Sequence, residues 1–161
     1  MTVREYNKCV EDYSDNVYRF LLKNLKEEER ARDIVQESFE KMWVRAGEIE
    51  YGKAKSYLFS TAYHTMIDMI RKEKRLKVVE SYEGIERSHE DNYTDLNEVL
   101  HKALNQLPDI QRSVVLLRDY EGYSYKEISE IVDISESQVK VYIYRGRMAL
   151  KKYLVDIESV L

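Results

Sequence analysis

The sequence predicts an all-α protein: two small helical domains joined by a flexible linker. Three observations lead there. Apolar residues recur at steps of three and four through most of the chain, and no long alternating Val/Ile/Thr run suggests a strand. Only five glycines and one proline occur in 161 residues, of which 35% are charged, a mix that suits helices with wet surfaces. The helical period lapses once, over Val78–Asp95 (VVESYEGIERSHEDNYTD), an acidic, polar stretch without a face to bury. The expected units are therefore residues 1–77 and 96–161, with 78–95 between them. At 43% apolar, the chain has enough hydrophobic material for a core.

Each element has its own signal. Cys9, Val10, Tyr13, Val17, Phe20 and Leu21 mark the stripe of a first helix. Ala31, Ile34, Val35, Ser38, Phe39, Met42 and Trp43 mark a second, with Trp43 expected as a core anchor. Gly47 and Gly52 punctuate a loop near Ala46–Lys55. A third helix is expected from about Ser56 to Leu76. After the linker, Leu96, Val99, Leu100, Ala103, Leu104 and Leu107 restore the helical period. Pro108 stops that helix and can open the next, Asp109–Tyr120, which Gly122 is placed to end.

Residues 123–154 read as helix, tight turn, helix. Ser124 with Glu127, and Ser135 with Gln138, are two capping boxes, each satisfying orphan donors at a helix start for about 1 kcal/mol. Only Asp133 and Ile134 separate them, and Asp tolerates the left-handed backbone that a tight turn needs. Ile128, Val132, Ile134, Val139 and Ile143 can pack the two helices across their angle, with Ser129 small where they approach. This is the helix-turn-helix pattern, whose second helix enters a major groove. The alternative is a helical hairpin with a solvated basic face.

Charge separates these elements. The chain carries a formal net charge of -4, yet Ser137–Val155 contains Lys140, Arg145, Arg147, Lys151 and Lys152 and no acid, the footprint of a helix aimed at a polyanion. A second basic run, Arg71, Lys72, Lys74, Arg75 and Lys77, follows Tyr57, Phe59, Tyr63 and His64 on one helix. Cations beside rings suit an unpaired nucleic-acid strand, whose bases stack for about 1–3 kcal/mol each. The rings can equally be core, with the bases a solvated helix end. Asp33, Gln36, Glu37 and Glu40 form an acidic face that is either solvated or docks a basic partner.

With these residues in hand, the chain resembles a bacterial sigma factor of the extracytoplasmic-function class of the sigma-70 family. RDIVQESFEKMWV (Arg32–Val44) resembles the core-polymerase-binding helix of region 2. SYLFSTAYHTMIDMIRKEKR (Ser56–Arg75) resembles the helix that melts and reads the minus-ten promoter element. Leu104–Ser135 and the helix after it resemble region 4, the reader of the minus-thirty-five element. The resemblance implies that Asp33, Gln36 and Glu37 grip the clamp coiled coil of the polymerase. It implies that Lys140, Val141, Tyr144 and Arg145 approach bases and that Arg147 meets a phosphate. Tyr63, His64, Arg71, Lys72, Lys74 and Arg75 would serve the minus-ten strand, with Ala46–Lys55 beside a flipped-out base. Two positions depart from the pattern. His64 stands where the family usually has Asn and lacks its paired amide donor and acceptor. Tyr142 stands where an Arg is common.

The expected function is promoter recognition, DNA melting and transcription initiation in complex with core RNA polymerase, without covalent chemistry. The expected partners are core RNA polymerase, promoter DNA and an anti-sigma factor, often membrane-attached in this class; no small-molecule substrate is expected. The sequence offers no Gly-rich phosphate loop and no metal-ligand cluster, so neither cofactor nor metal is expected, and the chain is not read as an enzyme. Lone Cys9 excludes an internal disulfide. With neither a secretory signal nor an apolar span of membrane length in the sequence, a cytoplasmic protein is expected. The rivals are a stand-alone helix-turn-helix repressor or activator, and an interaction adaptor that no longer binds DNA.

Overall fold

A computed structural model describes residues 1–80 and 96–158, which form seven α-helices and, among the described residues, no strand. Helix α1 (Val3–Leu25) starts in a capping box: Glu5 N–H donates to Thr2 Oγ1 at 3.1 Å and Thr2 N–H to Glu5 Oε1 at 2.9 Å. It ends at Lys26, left-handed at φ 61°, whose N–H returns to Leu22 O at 2.8 Å. Helix α2 (Glu28–Val44) is followed by a loop with a 3-10 turn at Tyr51–Lys53, and then by α3 (Ala54–Glu80). The expected linker began at 78, but helix α3 runs on to Glu80; the remainder, 81–95, lies outside the described residues.

The second half begins with α4 (Leu96–Gln106), which Pro108 separates from α5 (Asp109–Val115). The helix expected over Asp109–Tyr120 occupies that span but changes winding at Leu116–Tyr120, a π turn in which Glu121 N–H reaches back to Leu116 O at 3.1 Å. Gly122, at φ 75°, ends it in the left-handed region. Helix α6 (Tyr125–Val132) and helix α7 (Glu136–Glu158) each start in the expected box: Glu127 N–H to Ser124 Oγ at 3.1 Å, Gln138 N–H to Ser135 Oγ at 3.2 Å. Asp133, at φ 58°, supplies the turn between them.

Helices α1–α3 bury Val17, Phe20, Leu21, Ile34, Met42, Leu58 and Met66; α4–α7 bury Leu104, Val114, Leu117, Ile128, Ile131, Val139 and Ile143. The two sets join into one apolar cluster because α6 lies along α3 and α5 touches α1. Phe59 is the junction, 5.7 Å from the Phe20 ring and 5.2 Å edge-on from Tyr123. Among the described residues no helix is long and apolar enough to cross a membrane.

One glycine fixes how α7 seats. A Cβ on Gly146 would fall 2.7 Å from Cγ2 of buried Val115 and 3.5 Å from the Gln111 carbonyl oxygen. Val115 is β-branched and has little rotamer freedom with which to yield. Gly146→Ala is expected to lower unfolding stability by up to about 2 kcal/mol, the balance of an overpacking penalty of about 1–3 kcal/mol against a helix-propensity gain of at most about 1. Chemical denaturation checks this, and an unchanged midpoint would show that α7 can slide away from α5.

Candidate nucleic-acid interface

Helix α7 buries Val139 and Ile143 against the domain and leaves the opposite side bare. Lys140, Val141, Tyr144 and Arg145 are all exposed there, Tyr144 to 66%. Spacings of one, four and five put them on one face, with exposed Met148 continuing it. Cationic tips beside bare apolar rings and branches can take backbone charge and base edges together. Lys140 Nζ lies 5.5 Å from the Tyr125 ring centroid, which also carries the Arg118 guanidinium at 4.6 Å.

Arg147 is held differently. Its guanidinium grips Asp119 of the π turn with two bonds, Nη2 to Oδ1 at 2.6 Å and Nε to Oδ2 at 3.1 Å. A phosphate contact by Arg147 therefore shares or displaces this carboxylate. Nothing in the sequence spacing announced the pair, because the π turn brings Asp119 round to it.

The second basic cluster occupies the last turns described for α3. Arg71, Lys72, Lys74 and Arg75 are exposed, while Glu73, the acid inside the run, turns to a paired contact with Arg30. Lys74 also lies 3.5 Å from Asp109 across the molecule. The rings upstream are mostly core. Phe59 is fully buried and Tyr63 only 6% exposed. Tyr63 lines a cleft of about 600 Å³ with Leu107, Pro108, Asp109 and Arg112, and burial pushes its phenol pKa up. His64 is exposed, with Nδ1 2.8 Å from Ser60 O. A carbonyl needs a donor, so the neutral ring carries its proton on Nδ1 and keeps Nε2 as an acceptor.

The acidic face of α2 is solvent-facing at every position: Asp33, Gln36, Glu37 and Glu40. Gln36 donates to Glu40 at 3.2 Å and Lys41 pairs with Glu37 at 3.3 Å. Beside it runs a groove of about 720 Å³ floored by Tyr6, Val10, Tyr18, Val35 and Phe39. Trp43 is not the core anchor expected of it. It is 52% exposed, edge-on to Tyr6 at 4.9 Å. Met42 and Trp43 stand about 100° apart on a helix, and Met42 takes the inward place.

Sequence reasoning also missed a polar knot between the halves. Buried Asn24 accepts from Arg112 Nε and from Ser113 Oγ, both at 3.1 Å, while its amide donates to Phe20 O at 2.8 Å. Buried Arg112 bonds through all three of its nitrogens, reaching Leu107 O at 3.2 Å and Asp109 Oδ1 at 2.5 Å as well. Asn24 stands four residues after Phe20, in line with an apolar stripe, and that placement was the one clue to it.

Residues 9–76 match the family model described as Sigma-70 region 2, and residues 97–150 match the one described as Sigma-70, region 4. The chain is 32% identical over 141 residues to the RNA polymerase sigma factor SigV of Bacillus subtilis, spanning 86% of this chain and 84% of that one. It is 31% identical to the ECF RNA polymerase sigma factor SigM of the same organism, spanning 86% and 88%. Among solved structures it resembles the sigma factor RpoE in complex with the anti-sigma factor NepR from Bartonella quintana, with a TM-score of 0.81, 24% identity, and 94% and 98% of the two chains covered.

Proposed function

The chain belongs to the sigma-70 family, in its extracytoplasmic-function class, and from that premise we propose that it binds core RNA polymerase and directs it to promoters, where it recognises and melts DNA to start transcription. The observation that carries this is the order of two sigma-70 regions along one chain, the second ending in a helix whose bare face is basic and apolar. On this reading residues 1–77 bind polymerase and the minus-ten strand, 96–161 bind the minus-thirty-five duplex, and 78–95 tether them. Lys140, Val141, Tyr144 and Arg145 read bases, and Arg147 holds a phosphate. Asp33, Gln36 and Glu37 face the polymerase clamp. Arg71, Lys72, Lys74 and Arg75 follow the minus-ten backbone, with Tyr63 and His64 next to the unstacked base. The free acceptor on His64 favours a base that offers an exocyclic amine.

The protein performs no covalent step of its own: the polymerase does the chemistry, and this chain supplies address and strand separation. Its place of work is the cytoplasm, and its regulator is an anti-sigma factor of the kind seen bound to its structural neighbour.

Transcription in vitro tests the reading. Purified core polymerase plus this chain is expected to initiate at discrete start sites that core alone ignores. A chain that never joins the polymerase and instead binds a palindromic operator as a free dimer overturns it in favour of a stand-alone helix-turn-helix regulator.

A further inference from the structure

The geometry points to an apolar strip on α7, made by Val141, Tyr144 and Met148, that reads the C5-methyl groups of thymines in a duplex major groove, with Met148 as a specificity-determining residue. The inference deepens the reading above and rests on α7 lying in that groove. The three side chains are 43%, 66% and 49% exposed, large apolar groups left in water side by side. At about 100° per residue they fall within about 60° of one another around the helix. Buried Val139, Ile143 and Gly146 take the opposite side. Exposed Lys140 and Lys151 border the strip on one edge, and exposed Arg145 and Lys152 on the other. No acid lies between Ser137 and Val155.

An apolar strip between two cationic rails narrows what can cover it. The rails ask for negative charge on both sides, and the strip asks for carbon between them. A second copy of this helix would set cation against cation. A duplex major groove offers the right order: phosphates line its two walls, and each thymine sets a methyl group on its floor. Length then decides how far the strip reads. Val141 to Met148 spans about 10 Å at 1.5 Å per residue, which matches a groove about 12 Å wide. Exposed Val155 stands in line with the strip but about 21 Å from Val141, and falls beyond the groove. Met148 is thus the far reader and Val155 a built-in control. The unbranched thioether of Met148 can settle on a methyl without demanding one fixed geometry.

The test scans the minus-thirty-five duplex with uracil. Replacing one thymine by deoxyuridine removes the methyl group and keeps the O4 acceptor. With core polymerase and the full chain, at least two such positions are expected to lose about fourfold each in promoter affinity, the worth of burying one carbon. Met148→Gln is expected to erase the loss at one of those positions and to leave the salt slope unchanged, since no phosphate contact is touched. Val155→Gln is expected to match wild type. Uracil tolerated at every position overturns the methyl reading and leaves the strip to a protein partner. A Met148→Gln variant that weakens thymine and uracil duplexes alike overturns its reading role and makes it a positioning residue for Tyr144, its i,i+4 neighbour. If the chain ignores polymerase and binds an operator alone, the sigma-factor reading fails, and the same scan on that operator decides the strip. Failure to bind any duplex overturns both.

Discussion

Reversing charge at Asp33 and Glu37 together (Asp33→Lys, Glu37→Lys) is expected to weaken binding to core polymerase by about a hundredfold or more while leaving the fold intact. Both side chains are exposed on α2, so neither leaves a cavity or an unpaired buried group. Within the protein the change breaks the ion pair of Glu37 with Lys41 at 3.3 Å, half exposed at both ends. Such an i,i+4 pair contributes about 0.3–0.5 kcal/mol. A basic partner docked there instead meets two like charges, each worth several kcal/mol against binding. Co-sedimentation with core enzyme measures the loss and thermal unfolding measures the fold. Undiminished binding removes this face from the polymerase interface and leaves the apolar groove beside it as the next place to look.

Removing Lys140 and Arg145 together (Lys140→Ala, Arg145→Ala) is expected to reduce use of a natural promoter by about a hundred- to thousandfold. A good bidentate base contact discriminates by about 1–3 kcal/mol. Base preference should relax at the positions they read, which a library of randomised minus-thirty-five elements reports. Arg147→Ala should behave differently, weakening all sequences alike and lowering the salt slope by about one. It should lose more than a single phosphate interaction, however, because it leaves Asp119 facing the DNA without its partner. Adding Asp119→Ala should therefore recover part of the affinity. Equal losses at every base position for Lys140 and Arg145 would reassign them to the backbone.

Much of this was legible in the chain because the deciding physics is local. The two capping boxes and the left-handed Asp133 depend on residues within four positions of each other, and the helix-turn-helix follows from them. The bare face of α7 was legible because helical spacing alone assigns Val139 and Ile143 inward. What was hidden depends on distant partners. Phe59 and Tyr63 can be open or packed on spacing alone, and the packing of α6 against α3 decides between the two. Trp43 departs from its expected place because adjacent apolar residues compete for one inward direction, and only packing chooses between them. Glu121 is one more surface acid in the sequence; its value appears once Arg19, far away in the chain, is beside it. The π turn was invisible, since extra winding leaves no sequence mark of its own, yet it sets where Asp119, Tyr120 and Glu121 fall.

The missing side chain at Gly146 bears on how such a protein changes its targets. With α5 packed close over that position and Val139 and Ile143 buried behind, the inner side of α7 sets its rotation and its register. Residues 140, 141, 144 and 145 are then interchangeable type in a fixed frame. New promoter preferences can arise by replacing those outward letters, with the machinery behind them untouched.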